Sequence, residues 1–74
     1  MKISQKELSE FGKRCHQIRE RRELSVQFVS NKTGISRSTI SRIEIGEQSV
    51  SFRAAIEVAK FYKISIDDLM ELKL

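Results

Sequence analysis

Between Leu24 and Gly46 the chain reads LSVQFVSNKTGISRSTISRIEIG, and this stretch leaves few folds open. Ser25 can cap a helix over about Val26–Thr33 by accepting a bond from an early amide. Val29 and Thr33 share a face of it, and Ser30 is small where a crossing helix needs room. Gly34 follows directly, and a glycine there accepts the left-handed conformation that stops a helix. Ile35 is expected to plug into the core. Ser36 caps a second helix over about Arg37–Ile45, and Gly46 ends it. Two short helices joined by so tight a turn must cross and share one core.

On the second helix Ile40 and Ile43 lie three apart and face inward. That leaves Arg37, Ser38, Ser41 and Arg42 facing outward. Two crossed helices with a polar, arginine-bearing second face have the layout of a helix-turn-helix, whose second helix enters the DNA major groove. An ordinary helical hairpin with a solvated face is the plainer alternative. The turn glycine, the small residue and the spaced aliphatics together favour the DNA reader.

The rest of the chain is consistent with an all-α domain. Apolar residues recur at helical spacing, and there is no proline. The 74 residues suffice for one domain of modest core, which dimerisation commonly reinforces. No run is long enough to span a bilayer and no signal-peptide pattern is seen, so a soluble, cytoplasmic protein is expected. One cysteine cannot close an internal disulfide, and no Cys/His cluster has metal spacing. Residues 1–42 hold ten Lys/Arg against four Asp/Glu, whereas residues 43–74 hold four against six. The basic part therefore contains the outward face of the second helix, Arg37 to Arg42, which suits a polyanion.

Residues 1–6 are expected to form a short arm, and 7–74 the domain. A first helix spans about Glu7–Arg22, with Leu8, Phe11, Cys15 and Ile18 as its core stripe. His16 lies off that stripe and is expected at the surface, as are Lys13, Arg14, Arg21 and Arg22. Arg19 borders the stripe and can reach a carboxylate on another helix. Glu44 is the candidate, and that ion pair would lock the first helix to the third. After a polar connector, a fourth helix runs over about Phe52–Tyr62, with Phe52, Ala55, Ala59 and Tyr62 on one face. Ile64 points inward. Ser65 caps a fifth helix, Ile66–Leu72, with Asp67 and Asp68 in its first turn. Phe61, Ile66, Met70 and Leu74 exceed what so small a core can bury, and a dimer contact near the C-terminus is expected there.

The segment from Phe11 to Leu72, most specifically TGISRSTISRIEIG with IRERRELS before it and IDDLM after it, resembles the Cro/repressor-type (XRE-like) helix-turn-helix family of transcriptional regulators. The resemblance implies a compact five-helix, lambda-repressor-like domain. It matches Arg19 and Glu44 to the family's ion pair. It puts base reading on Arg37, Ser38, Ser41 and Arg42, and a phosphate contact on Thr39. Val26 stands where many members carry a phosphate-touching glutamine, so that contact is lost or passes to Gln27. Ser30 replaces an alanine, Phe28 a polar surface residue, Val50 a proline and Lys63 a glycine.

The function expected is sequence-specific binding of double-stranded DNA by a homodimeric regulator, a repressor or controller on a near-palindromic operator. No sensor domain is seen, so occupancy should follow protein concentration, with no small-molecule ligand, cofactor, metal or membrane partner. The rival is a protein-interaction module, such as an antitoxin-type partner of another protein, with DNA contact secondary. The protein partner would be polymerase for a regulator that activates, and a toxin for the interaction module. An enzyme is not expected: Cys15 and His16 point to different sides of a helix and cannot serve as a dyad.

Overall fold

The computed structural model describes residues 5–47 and 50–64. They form four helices: α1 (Gln5–Arg21), α2 (Val26–Thr33), α3 (Arg37–Glu44) and α4 (Phe52–Tyr62). The domain is all-helical, as expected, but four helices are found among the described residues rather than five. The segment expected to form the fifth, 66–72, lies outside them. No helix among the described residues is long and apolar enough to cross a membrane.

Three serines start three helices by one device. Ser25 accepts from the Phe28 amide at 3.0 Å, Ser36 from Thr39 at 3.3 Å and Ser51 from Ala54 at 3.1 Å, each in extended conformation. Each satisfies an amide that the first helical turn leaves without a partner. Ser51, the last residue of the connector before α4, is thus the cap of that helix. At the other ends, α1, α3 and α4 close with paired reverse bonds, Leu24 to Arg19, Glu47 to Arg42 and Ile64 to Ala59. This closure needs one left-handed residue. Glu23 (φ 56°), Gly46 (φ 74°) and Lys63 (φ 61°) supply it. Gly34, at φ 77°, stops α2, and the Thr33 hydroxyl accepts from the Ile35 amide to hold the turn that follows.

The core is Phe11 and Cys15 of α1, Val29 of α2, Ile40 and Ile43 of α3, Ala54, Ala55, Val58, Ala59 and Tyr62 of α4, and Ile64. Side chains of the size of Val29 or Ile40 each contribute roughly 1.5–3 kcal/mol when fully buried. Ile18, Leu24, Val26, Ile35, Val50 and Phe61 pack around this cluster. On α4, Ala55, Ala59 and Tyr62 are buried as expected, but Phe52 is 41 % exposed, and Ala54 and Val58 join the buried face. As the first residue of the helix, Phe52 lies at its outer end, while the small Ala54 and Ala55 let α4 come close. α1 begins at Gln5, two residues earlier than expected. Arg22 is exposed, as expected, and its guanidinium also donates to the Tyr62 carbonyl at 3.4 Å and lies over the Tyr62 ring.

Candidate nucleic-acid interface

α3 has two unlike sides. Ile40 and Ile43 are buried, and Arg37, Ser38, Ser41 and Arg42 are all exposed, with Thr39 intermediate. The four proposed base-reading side chains therefore share one accessible face. Arg42 is 54 % exposed and its Nε lies 3.9 Å from a Glu47 carboxylate oxygen, an exposed pair worth little in energy.

At the start of α3 the hydroxyls form a directed chain. Ser36 Oγ donates to Thr39 Oγ1 at 2.9 Å and accepts from the Thr39 amide; Ser38 Oγ lies 3.3 Å from Ser36 Oγ. In this chain Thr39 Oγ1 is an acceptor, so its own proton remains available to an acceptor outside, as a phosphate oxygen would be. Gln27, exposed on α2, donates one amide hydrogen to Asn31 Oδ1 at 2.8 Å and keeps a second. Phe28, also exposed, carries the Lys32 ammonium over its ring at 5.5 Å.

The C-terminal turn of α3 is seated on α1. Arg19 Nε donates to Glu44 Oε2 at 2.7 Å, Nη2 to Oε1 at 3.1 Å and Nη1 to the Leu24 carbonyl at 2.8 Å. The fork thus grips both oxygens of one carboxylate and closes the α1–α2 corner as well. The side chains are only 13 % and 8 % exposed. Burial by itself would raise the Glu44 carboxyl, but the bonds from Arg19 and His16 outweigh it and hold the pKa below the usual 4.5. The Arg19 guanidinium is pushed up by its bond to Glu44 against the opposing effect of burial.

Two members of this seat were not legible in the sequence. His16 Nδ1 lies 2.8 Å from Glu44 Oε1. An ionised carboxylate can only accept, so Nδ1 carries the proton and donates. Gly12 lies where α1 crosses the last turn of α3: a Cβ there would overlap the Ile43 carbonyl oxygen and lie 2.9 Å from that of Glu44. Glycine lets the helices approach backbone to backbone. Gly12, His16 and Arg19 fall at i, i+4 and i+7, one stripe of α1 given over to the end of α3. A chain of glycine, histidine and arginine at that spacing is the only sequence signal, and it is a weak one.

The charge at Glu44 is felt in the core behind it. Burial and then Glu44 push the Cys15 thiol up to about 12, and the same two causes push the Tyr62 phenol to about 12. Cys15 is thus held as a neutral thiol inside the core. Tyr62 Oη is buried with no hydrogen-bond partner among the described residues. Of the residues expected at a dimer contact, Phe61 is half-buried and meets Tyr62 edge to face at 5.0 Å; Ile66, Met70 and Leu74 lie outside the described residues.

A helix-turn-helix family model matches residues 16–69, from the middle of α1 through the whole two-helix unit and beyond α4. The chain belongs to the XRE-type helix-turn-helix family. Among curated proteins, it is 37 % identical over 46 residues to the uncharacterized HTH-type transcriptional regulator MJ0272 of Methanocaldococcus jannaschii, covering 62 % of this chain and 70 % of that one. It is 36 % identical over 64 residues to the HTH-type transcriptional repressor RghR of Bacillus subtilis, covering 85 % of this chain but only 47 % of that one. No solved structure matches significantly. In this family member the unit begins at Ser25, and its second helix is α3.

Proposed function

We propose that this helix-turn-helix protein is a sequence-specific, double-stranded DNA-binding transcriptional regulator that acts as a homodimer on a near-palindromic operator. The observation that carries the reading is the division of α3: Arg37, Ser38, Ser41 and Arg42 exposed on one side, Ile40 and Ile43 buried on the other, and Glu44 clamped at the end. A short helix so anchored can enter the major groove by its front without losing its support.

In this reading Arg37 and Arg42 each donate two bonds to guanine O6 and N7, worth about 1–3 kcal/mol of discrimination apiece. Ser38 and Ser41 bond several bases and specify weakly. Thr39, with its available proton, and Gln27 fix register on phosphates, which carry no sequence. Two copies set their α3 helices roughly 34–36 Å apart along the duplex. Phe61 with Ile66, Met70 and Leu74 supplies the contact between copies. Occupancy of the operator excludes polymerase, and repression in the cytoplasm is the outcome.

Selection of bound sites from a random duplex pool tests this. A near-palindrome is expected, with binding that weakens steeply as salt rises. Arg42→Ala is expected to relax preference at one base pair per half-site and to leave the rest of the operator unchanged. Selectivity identical to wild type would remove Arg42 from the reading face. No binding to any duplex at low salt would favour a protein-interaction module instead.

A further inference from the structure

Ile45 is 73 % exposed, well above Phe28 and Phe52 among the exposed large hydrophobic residues described. An isolated exposed isoleucine is ordinary; its position on α3 is what gives this one meaning. Its amide still donates to the Ser41 carbonyl at 3.2 Å, so the helical register runs through it. It stands four residues after Ser41 and eight after Arg37, in one row. It stands three after Arg42, in the neighbouring row with Ser38. The side chain therefore lies in the middle of the accessible face, opposite Ile40 and Ile43.

We infer that Ile45 is a specificity residue, and that its side chain packs on the 5-methyl group of a thymine in the operator. The inference rests on the DNA-reading function proposed above. Thymine's methyl is the apolar group that base pairs display in the major groove, and aliphatic contact is how it is read. Phosphate, the other surface within reach of α3, offers an isoleucine nothing. A self-association surface would need apolar neighbours around Ile45. On its own face it has Ser41 and Arg42, with Glu47 paired to Arg42 beside it. Those companions suit a wet, charged groove.

The test compares operators, taken from the random-pool selection, in which each thymine is replaced in turn by deoxyuridine, which lacks only the methyl group. For wild type, one such replacement per half-site should weaken binding about fourfold, the worth of one buried methyl group. Ile45→Ala should bind the thymine operator at least that much more weakly and no longer distinguish the two bases. Its melting temperature should be unchanged, because the side chain is outside the core. Indifference of wild type to every replacement overturns the inference and leaves the DNA-reading function standing. An Ile45→Ala protein that still discriminates the methyl, or that loses self-association instead, also overturns it. Failure of wild type to select any site overturns both readings at once.

Discussion

The two ends of α3 are built to opposite specifications. At its C-terminal end the side facing α1 is fully bonded: the Glu44 carboxylate takes two bonds from Arg19 and one from His16, and the backbone of Ile43 and Glu44 lies against Gly12. At its N-terminal end the bonds are short-range, among Ser36, Ser38 and Thr39, and the arginine fork of Arg37 is exposed. The same residue type does opposite work. Arg19 spends its donors inside the protein and fixes the helix; Arg37 is exposed, and Arg42 makes only a long, exposed contact with Glu47 that a stronger partner can replace. Rigidity at one end and available donors at the other are what a reading helix requires, because a donor already positioned loses less on binding.

The comparison breaks first at Arg19. Arg19→Ala leaves a carboxylate almost wholly buried beside His16 alone, and should cost about 3–5 kcal/mol. In a domain of this size that lowers Tm by well over about 10 °C, measurable by thermal circular dichroism. A change of a degree or two would mean the seat does not hold α3. Gly12→Ala sharpens the same point without touching charge. Its Cβ must push α1 off the α3 backbone, and a loss of about 1–3 kcal/mol in denaturant melts is expected. An exposed-helix glycine would instead gain stability from the same change, so the sign of the result decides.

Acid should act on the clamped end and spare the open one. The folded-state pKa of Glu44 is depressed, so its contribution is fully present above the unfolded-state value near 4.5 and is lost as pH falls through the lower folded value. Denaturant melts of wild type should therefore show a fall in stability below pH 4.5 that Glu44→Gln does not share. Parallel curves would place the acid sensitivity elsewhere. The smallest effect is at Tyr62. Its buried hydroxyl, without a partner among the described residues, gives no bond to lose, so Tyr62→Phe should melt at or slightly above wild type. A lower Tm would show that the hydroxyl has a partner after all.

What the sequence told and withheld divides along the same line. The caps at Ser25 and Ser36, the stop at Gly34 and the outward row on α3 are local: each depends on residues within one or two turns. Arg19 and Glu44 could be matched because a long cation beside an apolar stripe needs a carboxylate, and Glu44 closes the facing helix. Gly12 stayed silent, since a glycine inside a helix shows its purpose only when another backbone lies against it. His16 lies off the apolar stripe and is half exposed, but its Nδ1 reaches Glu44 Oε1, which Arg19 also holds, a contact that spacing alone does not reveal. Phe52 has the spacing of a core residue, but the first position of α4 turns it outward, and Ala54 and Val58 fill the interior beside Ala55 and Ala59. Lys63 holds a left-handed position that glycine would fill at lower conformational cost, a demand set by the closure from Ile64 back to Ala59.

The most direct measurement follows the arginine side-chain NεH resonances by NMR as the selected operator is titrated into labelled protein. Arg37 and Arg42 should shift strongly on binding, whereas Arg19, already held by Glu44, should stay where it was. Shifts at Arg19 with Arg37 and Arg42 unmoved would contradict the account.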